Sequence, residues 1–177
     1  TGATVIRSFL GSREFAGAVA PVLRSYLAIF GTYPPTTSIV TDSVSRARGG
    51  ASAAEGAAHL AADPAIAGLR DSTFVSRLWQ HAYGRTPTSM ERTAALRALS
   101  TGTSRGALVV QHAQGPAGVK HLTAQVNVAM VYHGMLGRAP DPNGWKYWVA
   151  KVARTNLDQL VTGFQRSSEY ARRISRL

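Results

Sequence analysis

Gly102-Thr103-Ser104-Arg105-Gly106 has the spacing of a G-x-S-x-G nucleophile elbow, in which a serine on a sharp strand-to-helix turn attacks an acyl carbon. That chemistry needs a strand before the motif and, in chain order, an acid and then a histidine after it. Neither condition is met. Residues 94–99 read as helix, and no Asp or Glu lies between Ser104 and the last histidine, His133. Ser104 is therefore read as a helix cap. The five histidines, His59, His81, His112, His121 and His133, form no H-E-x-x-H pair and no close pairing with a carboxylate, so they are read as structural, with no metal site. Asp141-Pro142-Asn143-Gly144 begins like a calcium loop but lacks the later acids and the closing glutamate. It reads as helix punctuation.

Trp145-Lys146-Tyr147-Trp148 offers different chemistry. Flat rings beside hydrogen-bonding groups suit stacking on sugars, or on the bases of single-stranded nucleic acid. Trp145 and Trp148 stand three apart on one apolar stripe and are expected in the core; Lys146 and Tyr147 project elsewhere and are the surface candidates. Among the cations, Arg138 and its second-copy equivalent Arg85 flank the turns described below, and their planar forks suit carboxylate and phosphate. Arg85, Arg138, Lys146 and Tyr147 are thus the candidate ligand-binding residues. Arg166, Arg172, Arg173 and Arg176 cluster near the end of the chain. They read either as complements of a helix C-terminus or as a polyanion contact.

The whole chain has the same bias. Its 20 Lys and Arg against nine Asp and Glu give a net charge of +11, and only three of the cations are lysines. Such a field draws polyanions: an acidic cell-surface glycan or lipopolysaccharide, anionic lipid, or nucleic acid. Nucleic acid is the less favoured partner, since no recognised binding motif accompanies the charge. Cysteine is absent, which removes disulfides and thiolate catalysis, and no apolar run reaches the ~20 residues of a membrane span. With no convergent set of titratable groups visible, a non-enzymatic protein without cofactors is expected.

The elements that position these residues follow from an internal repeat. Gly31, Gly84 and Gly137 recur every 53 residues, each followed three positions on by Pro34, Pro87 or Pro140. Val22, Val75 and Val128 precede the glycines by nine residues, and Tyr26, Trp79 and Tyr132 precede them by five. Val128, Val131, Tyr132, Met135 and Leu136 lie on one stripe of a 3.6-residue period, as do Val75, Leu78, Trp79, Ala82 and Tyr83. Each glycine is expected to end its helix in the left-handed conformation, with the proline stiffening the turn. A second helix begins at the Thr88/Glu91 capping box and at Asp141-Pro142, and a third at the Ser52/Glu55 box, Ser104 and Asn156. No stretch alternates with period two. The expected fold is all-α, an array of three approximately 53-residue, three-helix repeats: 19–71 (degenerate), 72–124 and 125–177 (best preserved). Residues 1–18 read as the tail of a preceding repeat or an N-terminal cap, because Phe9–Phe15 parallels Phe164–Tyr170.

The segment Gly137-Arg138-Ala139-Pro140-Asp141-Pro142-Asn143-Gly144-Trp145, followed by Tyr147-Trp148, resembles a bacterial repeat catalogued as domain of unknown function number four-two-one-four. Gly163-Phe164 to Ser168-Glu169-Tyr170 and Thr101–Arg105 resemble it as well. The resemblance implies a helical module of secreted, surface-layer or adhesin-like bacterial proteins, some attached to surface polysaccharide, and it carries over no catalytic residues. With it, the expectation is an extracellular or cell-surface module that binds an acidic polysaccharide through those four residues. The alternatives are a purely structural module packing against copies of itself and a nucleic-acid-binding domain.

Overall fold

The chain folds as helices joined by short turns, with no strand among the described residues. A computed structural model describes residues 2–154 and 157–175. The sequence-predicted cap Asn156 and the cation Arg176 lie outside the described residues. Helix α1 (Gly2–Leu10) leads through a π-turn (Phe15–Val19) directly into α2 (Ala20–Phe30). Then come α3 (Thr37–Arg48), α4 (Ala53–Ala61), the single-turn α5 (Pro64–Ala67), α6 (Asp71–Tyr83), α7 (Ser89–Ser100) and α8 (Arg105–Ala113). Helix α9 (Pro116–Val131) runs into a second π-turn (Tyr132–Leu136). It is followed by α10 (Pro142–Val152), α11 (Leu157–Gln165) and α12 (Ser168–Ile174).

The local signals act as expected. Gly31, Gly84 and Gly137 end helical segments at φ of 70°, 70° and 68°, where a side chain would strain the backbone. Pro34, Pro87 and Pro140 are all buried behind those turns. Both capping boxes form, Ser104 accepts from the Ala107 N–H, and Asp141 accepts from the Gly144 N–H. Ser12 and Ser167, matched in the sequence comparison, make the same cap to Phe15 N and Tyr170 N at 3.1 and 3.2 Å.

The three-helix frame needs correction. Each frame also contains a fourth helical piece led by Pro64, Pro116 or Ser168, and α9 runs unbroken across the 124/125 boundary. Nor do the copies stack simply in line. Helix α2 sits against α4, α6, α8 and α9, while α1 packs on α11. The Tyr33 ring from the first frame meets Trp145 of the third at 5.1 Å, and Arg7 of α1 pairs with Asp158. Chain start and chain end are thereby tied together.

One core extends from Phe15 to Val126 around Leu23, Leu27, Leu78, Leu108 and Leu122, all essentially inaccessible; a second gathers Val128, Tyr132, Met135, Leu160 and Phe164. Each such side chain contributes about 1.5–3 kcal/mol of transfer free energy. Val75, Val128, Tyr26, Trp79 and Tyr132 are buried. Val22 is half-buried instead, because it faces a surface hollow beside Pro21 and Gly56. Helices α4 and α8 approach closely at Gly106: a Cβ there would collide with the Ala54 carbonyl. The second glycine of the elbow-like motif is thus a helix-packing residue.

Candidate functional site

Both arginines of the expected site are engaged inside the chain. The Arg85 fork grips Glu91, the N3 residue of the α7 capping box, at 2.8 and 2.6 Å, and adds the Thr86 carbonyl at 3.1 Å. Arg138 grips Glu169 of α12 at 2.5 and 2.9 Å and reaches the Ala139 carbonyl. Bidentate pairing uses the donors that an external carboxylate or phosphate would need. The carboxylates respond accordingly. Arg85 and then the Thr88 backbone N–H hold Glu91 well below the usual range, and Arg138 lowers Glu169. Arg138 also lies over the Tyr132 ring at 5.3 Å. Burial, then Asp141, pushes the Tyr132 phenol up to about 12.

Lys146 and Tyr147 lie on the outer face of α10. Tyr147 is 56% exposed. Its ring meets Trp148 edge-on at 5.1 Å, and Lys151 sits over both rings while its Nζ donates to the Tyr147 hydroxyl at 3.2 Å. Trp145 and Trp148, expected in the core, are only half-buried. They bridge α10 to its neighbours, Trp148 through Phe164 at 5.3 Å. An open groove along the helix is lined by Asn143, Lys146, Tyr147, Ala150, Lys151 and Arg154. Neither Arg85 nor Arg138 lines it. Lys151 and Arg154 escaped the sequence reading; positions 143, 147 and 151 are spaced four apart on one face of α10, a signal that was present for Lys151, whereas Arg154 lies just past the end of the helix.

Three of the five histidines, His81, His112 and His121, pack against other elements of the fold, while His59 is exposed. His81 lies over Gly31 with Nδ1 3.2 Å from the Ala28 carbonyl, and His121 lies over Gly84; Arg173 does the same at Gly137. His112 stacks on Trp79 at 4.1 Å and bonds the Tyr83 hydroxyl through Nδ1 at 2.7 Å. Burial lowers the pKa of His81, His112, His121 and His133. Among the described residues no group of three or more His, Cys, Asp or Glu could hold a metal ion. No helix among them is long and apolar enough to cross a membrane.

The turn, the Arg138–Glu169 fork and the α10 face all fall in one stretch. Residues 117–174 match the family described as Domain of unknown function, DUF4214. The match takes in nearly all of α9 through α12, including the segment whose motif resembled that family in sequence. No curated protein and no solved structure matches the chain.

Proposed function

We propose that this chain is a non-enzymatic, extracellular bacterial surface module, part of a surface-layer, adhesin or secreted assembly, that binds an acidic polysaccharide along α10. The observation carrying this reading is the groove in which Lys146, Lys151 and Arg154 surround the exposed Tyr147 ring. Lys146 and Lys151 stand five residues apart on α10, about 7.5 Å along its axis, and Arg154 follows just past the helix end, so the cations form a row suited to a polymer with charges carried on several sugars. Lys151 holds the Tyr147 ring in place, so stacking on a sugar face costs little side-chain ordering. With Arg85 and Arg138 engaged internally, the contact rests on the α10 cations, and lysine supplies a point charge rather than a fixed fork. Lipopolysaccharide and capsular polysaccharide have the matching chemistry.

A glycan-array screen of the wild type and a Lys146→Ala/Tyr147→Ala double variant tests this. Binding that the double variant loses supports the α10 face, and binding that survives removes it. A specific observation favours a second reading, assembly with other copies. Met90 is 83% exposed on α7, beside Ala94 and Ala98. Absence of glycan binding together with concentration-dependent assembly, abolished by Met90→Lys, supports that reading. Tight binding to random DNA with a steep salt slope at physiological ionic strength would favour a nucleic-acid partner instead.

A further inference from the structure

The repeat brings an arginine to the turns after Gly84 and Gly137, and at both turns a tyrosine ring and a glutamate hold the guanidinium. Arg138 lies over the Tyr132 ring and grips Glu169 in the first turn of α12; Arg85 lies over the Tyr83 ring at 5.6 Å and grips Glu91. In the first frame the corresponding position, 53 residues before Arg85, is Thr32, which is exposed and too short to repeat either contact. The groups around that turn still suit a guanidinium. An open cavity of about 510 Å³ lies between α2, α3 and the α4–α5 turn, lined by the Tyr26–Phe30 ring pair, Asp42, Arg46, His59 and Asp63. Tyr26 is the first-frame counterpart of Tyr132, and Asp63, like Glu169, stands at the start of the fourth helical piece of its frame. Burial and then the Asp63 charge raise the Tyr26 phenol, as burial, Asp141 and Glu169 do at Tyr132. Tyr26 is 6% exposed, and its hydroxyl, not sealed from solvent, has no hydrogen-bond partner among the described residues. Asp42 and Arg46 stand one turn apart on α3, yet neither makes an ion pair among those residues.

We propose that this cavity binds a small guanidinium compound with a carboxylate at its other end, of the arginine type. A guanidinium is what the fold itself lodges against Tyr132 and Glu169 in the third frame, and Tyr26 with Asp63 and Asp42 offers an outside group the same two kinds of contact. Arg46 sets the other end. It repels a simple cation, whereas a carboxylate supplies the partner that Arg46 lacks. The lining carries two carboxylates against one arginine, opposite in sign to the chain as a whole. Free arginine, whose α-amino group is also charged near neutrality, complements that balance. The cavity shares no lining residue with the α10 groove, so it stands independently of the polysaccharide reading.

The test titrates L-arginine and L-citrulline, its uncharged urea isostere, at matched ionic strength, following the Tyr26 and Phe30 ring resonances by NMR. The expected result is saturable binding with arginine about tenfold tighter, the combined effect of one exposed charge pair and one cation–π contact. Agmatine, which has the guanidinium but no carboxylate, should bind several-fold more weakly than arginine. Asp63→Asn, which keeps a good helix cap, should weaken arginine about fivefold and citrulline hardly at all. Thr32→Arg gives the first frame a guanidinium of its own and should abolish binding. Equal affinity for arginine and citrulline overturns the proposal, as does absence of saturable binding, agmatine binding as tightly as arginine, or arginine binding undiminished in either variant. Should a variant fail to fold, the ranking of the three probes on the wild type decides alone.

Discussion

Trp79→Ala probes the core at its most expensive position. The ring is 2% exposed, with His112 stacked on it at 4.1 Å and Tyr83 edge-on at 6.0 Å. A buried tryptophan removes roughly 200 Å² from water, so at about 25 cal/mol per Å² the transfer contribution approaches 5 kcal/mol, an upper bound for a compact unfolded chain. Two effects modify that figure. The residual cavity adds to the loss, while His112 and Tyr83, only half-buried, can lean into the space and recover part of it. The indole N–H helps to keep Glu91 ionised but makes no hydrogen bond of good geometry, so its removal is nearly neutral. The expected cost is therefore about 3–5 kcal/mol, and Trp79→Phe, which keeps most of the bulk, should cost about 1–2 kcal/mol. Urea unfolding followed by circular dichroism at constant m gives both values. A Trp79→Ala loss below ~1 kcal/mol would refute the assignment of Trp79 to the core.

Gly84→Ala should cost about 1–2 kcal/mol, because the left-handed conformation is strained for alanine and the exposed His121 ring can swing away. Gly31→Ala should cost more, since His81 is half-buried and would lose its Ala28 carbonyl; matched denaturation midpoints check the order. Arg138→Ala should lose only about 0.5–1 kcal/mol, as expected for a well-formed but solvent-screened pair, and should leave glycan binding within about twofold, read on the same array. Four histidines with lowered pKa values, His81, His112, His121 and His133, set the first acid response: above ~6.5 they are neutral in both states, and below it the unfolded chain takes up protons first. Stability should thus begin to fall below about pH 6.5. The contribution of Glu91, Glu169 and Asp141, whose folded values are depressed, should be lost only below about pH 4.5. A melting temperature flat from about pH 7.5 to 5.5 refutes this order.

What could be read from sequence was what short stretches of chain decide. Caps at Ser52, Thr88, Ser104 and Asp141, and the three helix-ending glycines, depend on neighbours within a few residues, and the structure has each where its local chemistry puts it. The fourth helical piece of the first frame was missed because α5 has only four residues, too few for a period, and that of the second because it is the start of α9, which continues without a break into the third frame. Partners far apart in sequence were also hidden. Arg138 meets Glu169 across 31 residues only because α12 docks on the second π-turn, and His81 reaches Gly31 only because α6 packs on α2. The half-burial of Trp148 has the same origin. Its stripe faces α11, which covers one side of the ring and leaves the other toward Lys151.

The scarcity of acids explains why the excess positive charge stays at the surface. Of nine carboxylates, Glu55 and Asp63 cap helices, and Glu14, Asp71 and Asp158 pair with Arg48, Arg105 and Arg7. Glu91 and Asp141 cap helices while also facing Arg85 and Arg138, and Glu169 completes the Arg138 fork. Only Asp42 makes no such bond among the described residues. The arginines that gain partners become cross-links. Arg105, for example, reaches Asp71 and the Ile66 and Leu69 carbonyls and lies over Phe74, pinning α8 to the α5–α6 turn. The acids are thus spent inside the fold, and Lys146 and Arg154 keep their charge facing solvent with no acid beside them in the groove. Adding one there is the corresponding perturbation. Ala150→Glu sits one turn from Lys146 and four residues before Arg154, which lines the same groove, and it should reduce polysaccharide binding several-fold at low salt while leaving stability within about 0.5 kcal/mol. Undiminished binding would separate the affinity from the charge of the α10 face.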